Sequence, residues 1–169
     1  MRIVKTSILF LTLAACFFVF PCHAGDRWAY TGTETLIKTV SGPEAFKFLP
    51  DGSIKLRNWE GIYYYTSSDD HMNGQYFRVI AHANLDASWS GNMWGTFFSV
   101  DATGNPVEDG WEGTLNVEVF SLLGFNWFGK ALGHGIGVNT GLKFEDITVY
   151  GGDSPAGTIV GVIKTTDKE

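Results

Sequence analysis

The stretch that decides the fold class is GWEGTLNVEVFS, residues 110–121. From Trp111 to Val119 the odd positions hold tryptophan, glycine, leucine and valine, while the even positions hold glutamate, threonine and asparagine. Alternation of this kind turns one side of a β-strand towards a core and the other towards water. The stretch therefore predicts a half-buried strand of an antiparallel sheet.

The chain on either side repeats this strand-and-turn pattern, and no window has a sustained helical period. Turn residues such as Asp51-Gly52 and Asp109-Gly110 separate the apolar runs. A short helix, of one or two turns, is possible only at residues 42–49. Strands are predicted over residues 27–36, 53–66, 74–87, 91–101, 110–121, 123–139, 141–150 and 157–165. These eight strands predict an all-β fold, an antiparallel barrel or sandwich, and we favour a barrel because closure removes exposed edges.

One predicted strand breaks its own alternation. In residues 142–149 the pattern slips near Glu145 and Asp146. An extra residue on one strand of a pair produces such a slip, so this position predicts a β-bulge.

Residues 1–24 predict a secretory signal peptide, because a basic start (Arg2 and Lys5) precedes an apolar run and small residues. We expect cleavage near Ala24, which leaves residues 25–169 as a single barrel domain in a secreted or periplasmic protein. The alternative is a lipid anchor at Cys16, within a sequence similar to a lipoprotein box. The apolar residues 17–20 that follow it disfavour this alternative, and contact with a membrane is expected only if Cys16 is lipidated.

Composition narrows the function classes. Loss of residues 1–24 removes both cysteines together with Arg2 and Lys5, so the net charge moves from -6 to -8. Nucleic-acid-binding domains normally carry a basic surface, and we therefore expect no nucleic-acid partner. All 21 glycines and all 6 tryptophans remain. Glycine permits bends and close backbone approach, so this composition predicts a curved barrel with an aromatic interior.

Three Trp-x-Gly units support that prediction, beginning at Trp59, Trp89 and Trp111. Each tryptophan can serve as a core plug beside a glycine, and the set can equally line a ligand pocket. Downstream of the first unit, alternation sends Tyr63 and Tyr65 to one face of a strand. A tyrosine has an apolar ring and a polar tip, which suits the mouth of a cavity as well as ordinary packing.

The candidate ligand-binding residues are His134, Tyr63, Tyr65, Trp94 and Trp127. His134 shares a strand face with Leu132 and Ile136, and the opposite face is almost entirely glycine and alanine. We therefore expect the His134 face to be dry and the glycine face to admit a ligand or a neighbouring backbone. The competing interpretation is a core histidine that bonds to a carbonyl or carboxylate. No catalytic residue is predicted.

No cofactor or metal is expected. The histidines His71, His82 and His134 lack the spacing of metal ligands. The glycines of residues 133–137 are two apart and precede no helix, unlike those of a nucleotide-binding loop.

The placement of glycine and tryptophan over residues 88–150 supports a family resemblance. The motifs are GWEGTL from Gly110, GKALGHGIG from Gly129 and GLKF from Gly141. They resemble secreted bacterial proteins with the calycin-like barrel of eight antiparallel strands that allene oxide cyclases and dirigent proteins share. The resemblance implies a barrel with an apolar cavity and no cofactor. The cyclase's polar catalytic residues do not match this chain one by one, so no catalytic position is carried over.

Three functions follow as hypotheses. The first is binding of a small apolar ligand without catalysis, which requires a cavity of roughly a few hundred Å³. The second is a cofactor-independent isomerase or cyclase, which requires polar groups that converge inside the barrel near His134. The third is a structural envelope protein that forms homo-oligomers through strands apolar on both faces, such as residues 94–100 and 159–163.

Overall fold

The structure, a computed structural model, describes residues 26–122, 126–151 and 156–166. The predicted signal peptide, residues 1–24, lies outside this range. The strands are β1 (Arg27–Thr39), β2 (Phe46–Phe48), β3 (Ile54–Ser67), β4 (Tyr76–Leu85), β5 (Gly91–Val100), β6 (Gly110–Ser121), β7 (Asn126–Ile136), β8 (Leu142–Tyr150) and β9 (Ala156–Thr165). In these segments no helix is long and apolar enough to cross a membrane.

The sheet closes into a barrel. Hydrogen-bonded neighbours follow the order β1-β9-β8-β7-β6-β5-β4-β3, and β3 pairs back with β1 from Gly32 to Thr39. Every pairing is antiparallel. The prediction of an all-β antiparallel barrel of eight strands is confirmed for the described residues, with the short β2 as an addition beside β3.

One local expectation is confirmed and one is wrong. The short helix allowed within residues 42–49 is a single 3-10 turn at Pro43–Ala45, which leads into β2, whose Phe46 and Phe48 pair with β3. The bulge predicted at Glu145 and Asp146 is absent, because β8 keeps a continuous register with both β7 and β9. The Asp146 side chain is therefore an inward-facing member of a regular strand.

Bulges occur instead in β1, between Leu36 and Lys38, and in β3, between Leu56 and Trp59. Asn58 at the second bulge has a positive φ of 51°. Bulges bend a strand and increase its twist, which helps a sheet to close on itself.

Two apolar clusters fill the barrel, one towards each end. The first cluster contains Tyr30, Tyr65, Met72, Phe77, Phe97, Trp111, Phe144, Ile159 and Ile163. The second cluster contains Ala45, Ile54, Leu56, Ala83, Leu85 and Val119.

The loop between β3 and β4 closes the end that the first cluster occupies. Met72 of this loop is fully buried, and the indole N–H of Trp111 donates to the carbonyl oxygen of His71 at 3.0 Å. The indole N–H of Trp28 donates to Asp69 Oδ2 at 2.5 Å. These contacts hold the loop across the end of the barrel, and the Met72 side chain fills the interior at that end.

Three inward-facing glycines receive aromatic rings from the neighbouring strand. Three directly paired positions show this contact: Tyr30 with Gly161, Phe97 with Gly113 and Phe144 with Gly133. A Cβ atom on Gly133 would overlap the Phe144 ring, and one on Gly161 would overlap the Tyr30 ring. Because a glycine leaves the space that its partner ring fills, the two residue types depend on each other.

Replacement of Gly133 tests this packing. We expect Gly133→Ala to lower the free energy of unfolding by about 1–3 kcal/mol, because the added methyl group forces the Phe144 ring away. Gly151→Ala is the control, since no atom of the described residues lies within 4 Å of a Cβ there, and its change should stay within about 0.5 kcal/mol. Urea denaturation measures both, and equal stability of the two variants would contradict the packing argument.

Candidate functional site

A small cavity separates the two apolar clusters. Its volume is about 60 Å³. Six of the rings that line it belong to Trp59, Tyr63, Tyr65, Phe97, Trp127 and Phe144. This space is smaller than the few hundred Å³ expected of a ligand-binding barrel. Trp59 and Trp127 are only half-buried, so their rings also reach the surface of the barrel.

Glu34 brings a carboxyl group to this apolar cavity. Its Oε2 accepts a hydrogen bond from the Tyr65 hydroxyl at 2.6 Å. The Tyr150 hydroxyl donates to the backbone carbonyl oxygen of Glu34 at 3.1 Å. Desolvation by burial raises the pKa of Glu34 to about 7, and hydrogen bonds from Tyr65 and Tyr150 oppose this rise. Glu34 can therefore exchange a proton near neutral pH.

A second carboxyl group, Asp146, lies deeper in the interior and is 1% exposed. Its Oδ2 accepts a hydrogen bond from the Tyr30 hydroxyl at 2.8 Å, whereas its Oδ1 has no hydrogen-bond partner in the described part of the chain. Burial raises the pKa of Asp146 to about 7, the Tyr30 bond opposes the rise, and the charge of Glu34 adds to it. The two carboxyl groups thus belong to one buried electrostatic cluster.

Tyrosines complete this cluster. Burial raises the pKa of Tyr30, Tyr63, Tyr65 and Tyr150, and the nearby carboxyl charges raise it further. These hydroxyls stay protonated, so they serve as hydrogen-bond donors inside the barrel.

Three of the five predicted site residues border the cavity, namely Tyr63, Tyr65 and Trp127. Tyr63 and Tyr65 share a face as predicted, and Trp127 packs on Tyr150 with ring centroids 4.5 Å apart. Their ligand-binding role stays a prediction.

The other two predicted site residues, Trp94 and His134, lie on the outer surface. Trp94 is 38% exposed, stacks on His82, and has the Arg57 guanidinium 5.7 Å from its ring centroid. His134 Nε2 lies 2.9 Å from Glu112 Oε1 on the neighbouring strand. Glu112 is solvated, as its position on the polar face of β6 predicts.

The predicted orientation of β7 is wrong. The face that carries Leu132 and His134 is exposed, and the glycine face turns inwards. The reason is the ring packing described above, since Phe144 pairs with Gly133. Polar groups therefore converge inside the barrel around Glu34 and not near His134.

Sequence reasoning missed Glu34 and Asp146, although a signal was present for both. Glu34 lies on the same face of β1 as Trp28 and Tyr30, and this face is otherwise apolar. Asp146 likewise lies on the same face as Phe144 and Tyr150 when β8 is read as a strand without a bulge. A carboxyl group on an apolar strand face is the pattern that would have identified both.

No group of three or more His, Cys, Asp or Glu side chains positioned to hold a metal ion occurs within residues 26–122, 126–151 and 156–166. Comparison with protein-family models, with curated proteins and with solved structures found no match.

The raised pKa of Glu34 predicts an unusual pH dependence of stability. The folded state holds this proton up to about pH 7, whereas the unfolded chain releases it near the ordinary glutamate pKa of 4.5. The stability that this group contributes is therefore present at low pH and lost as the pH rises towards 7. The titratable groups around Glu34 are Tyr63 and Tyr65 from β3, Tyr30 from β1, and Asp146 and Tyr150 from β8.

The wild-type protein should lose unfolding free energy between pH 5 and pH 8. We expect this loss to be about 1–3 kcal/mol smaller in Glu34→Gln. Glu145→Gln is the control. An outer ion pair with Lys130 lowers the pKa of Glu145, so its removal should shift the pH slope slightly in the opposite direction. Urea titrations across this range measure both slopes, and a Glu34→Gln slope equal to that of wild type would contradict a raised pKa of Glu34.

Proposed function

We propose that this protein binds a small, largely apolar molecule in the cavity between the two clusters. The observation that carries the proposal is the combination of aromatic walls with the carboxyl group of Glu34 at the same cavity. Ligand sites are typically apolar and hold a few polar groups that orient the ligand. The predicted signal peptide supports a role in a secreted or periplasmic protein.

The size of the cavity limits how such a ligand fits. About 60 Å³ holds a fragment of a typical ligand, whereas ordinary sites span roughly 300–1,000 Å³. Trp59 and Trp127 line the cavity and are half-buried, so a shift of their rings would enlarge the space. We therefore expect one group of the ligand to enter beside Glu34 and the remainder to contact these two tryptophans.

Filling the cavity tests binding. Ala131 lines the cavity, and Leu132 on the same strand is 46% exposed on the outer surface. We expect Ala131→Leu to weaken the binding of cyclohexanol or indole by about tenfold or more, because its added carbons occupy the cavity. Leu132→Phe adds bulk to the outside of the barrel and should leave binding unchanged.

The readouts are tryptophan fluorescence and the indole N–H resonances of Trp59 and Trp127. If neither probe perturbs these two tryptophans in the wild-type protein, or if both variants bind equally well, the cavity is not the binding site. Native mass spectrometry of protein purified from its own host would then identify the natural ligand by mass.

A second candidate function is proton-transfer catalysis, in line with the resemblance to allene oxide cyclases. Glu34 favours it, because a carboxyl group with a pKa of about 7 beside an apolar cavity suits general acid–base chemistry at neutral pH. The Tyr65 hydroxyl, already bonded to Glu34, is a donor for an oxygen that gains negative charge.

Exchange of the α-protons of cyclohexanone in D₂O tests this candidate. We expect the wild-type protein to accelerate the exchange, with Glu34 as the base that takes the proton. Glu34→Gln should lose about 10²–10⁴-fold in this rate, the usual contribution of a general base. Glu145→Gln should retain the rate, and NMR follows the deuterium uptake. A wild-type rate equal to that of buffer alone would remove this candidate and leave the binding proposal in place.

A further inference from the structure

The interior of the barrel holds negative groups without a positive partner. Glu34 and Asp146 face inwards; of the two, Glu34 lines the cavity, and Lys130 is the cationic residue among the described residues that border it. The Lys130 ammonium lies on the outer surface, 2.5 Å from Glu145 Oε1, and both side chains are nearly half exposed. Within the described residues, the carboxyl groups of the interior therefore have tyrosine hydroxyls as partners and no cation.

Asp146 shows most directly that the interior carboxyl groups have too few partners. It is almost completely buried, and its Oδ1 accepts no hydrogen bond from the described residues. A buried charge is costly unless it is paired, so a carboxyl group without a cation holds its proton instead. The charge of Glu34 adds to the rise in the pKa of Asp146, so each carboxyl group disfavours the ionised form of the other.

The walls of the cavity suit a cation as well. Rings of Trp59, Tyr63 and Trp127 line the space beside Glu34. The face of an aromatic ring attracts an ammonium group, and the attraction is larger where water is excluded. A neutral apolar molecule would gain from the same walls but would leave the carboxyl groups uncompensated.

We infer that the cavity recognises the ammonium head of a small amphiphilic amine, with the head beside Glu34 and the apolar part against Trp59 and Trp127. This inference rests on the proposed binding function and names its ligand class. An ammonium group placed there stabilises the ionised form of Glu34, so binding releases a proton near neutral pH. Affinity for such an amine therefore rises with pH between about 5.5 and 8, while a neutral ligand of the same shape shows no such rise.

Three probes of one shape separate the possibilities: cyclohexylammonium, cyclohexanol and cyclohexanecarboxylate. We expect cyclohexylammonium to bind about tenfold or more tightly than cyclohexanol at pH 8, to lose most of this advantage at pH 5.5, and the carboxylate to bind most weakly. Calorimetry measures the affinities, and the Trp59 and Trp127 indole resonances verify that binding occurs at the cavity.

Two variants test the role of Glu34. Glu34→Gln should abolish the preference for the ammonium probe and leave cyclohexanol binding intact. Glu145→Gln removes one acidic charge from the outer surface and should preserve the preference, which separates the cavity from general attraction to an acidic protein. If Glu34→Gln fails to fold, the pH dependence of the wild-type protein provides the same test.

Each outcome decides the inference. A preference for ammonium that rises with pH and requires Glu34 supports it. Cyclohexanol binding as tight as cyclohexylammonium at pH 8 would overturn the amine inference and leave the proposed binding function standing. Failure of all three probes to perturb Trp59 and Trp127 would overturn both.

Discussion

The pairing of aromatic rings with glycines across adjacent strands is the constraint on which the rest of the structure depends. In a narrow closed barrel, large side chains from every strand cannot all point inwards, so a ring on one strand requires an empty position on its neighbour. Phe144 over Gly133 and Tyr30 over Gly161 show this relation at paired positions. It explains why a chain rich in aromatic residues is equally rich in glycine.

The same packing determines where the polar groups of the interior lie. Tyr30, held over Gly161, places its hydroxyl on Asp146. Tyr65 packs edge-on against Phe77, with ring centroids 4.7 Å apart, and reaches Glu34 with its hydroxyl. Each hydroxyl satisfies only part of its carboxyl partner, because an acid has more acceptor sites than one donor can fill. The barrel thus carries two acidic groups on its inner face whose acceptor sites the tyrosine hydroxyls only partly fill.

Much of the fold could be predicted from the sequence, because alternation and turn residues are local signals. β6 begins and ends where alternation predicts, at residues 110–121, and Tyr63 and Tyr65 share the inner face of β3. The prediction for β7 is wrong because it treated the larger apolar side chains as the core face. The sequence of one strand does not show that rings from neighbouring strands fill the core beside it. Leu132 and His134 were therefore assigned to the wrong face. Glu34 and Asp146 were missed because an acidic residue on an apolar face is ordinarily an exception to burial.

The sequence by itself determined the all-β class, the strand positions, the aromatic and glycine-rich character of the interior, and the expected signal peptide. These properties depend on composition and on contacts between residues close in the chain. The tertiary structure determines which face of β7 turns inwards and the closure of the ring between β3 and β1, and it places two electrostatically coupled carboxyl groups on the inner face. Glu34 and Asp146 are more than a hundred residues apart in the chain, but their strands, β1 and β8, both flank β9. The desolvation that raises both pKa values is a property of the closed sheet that no segment of the chain carries alone.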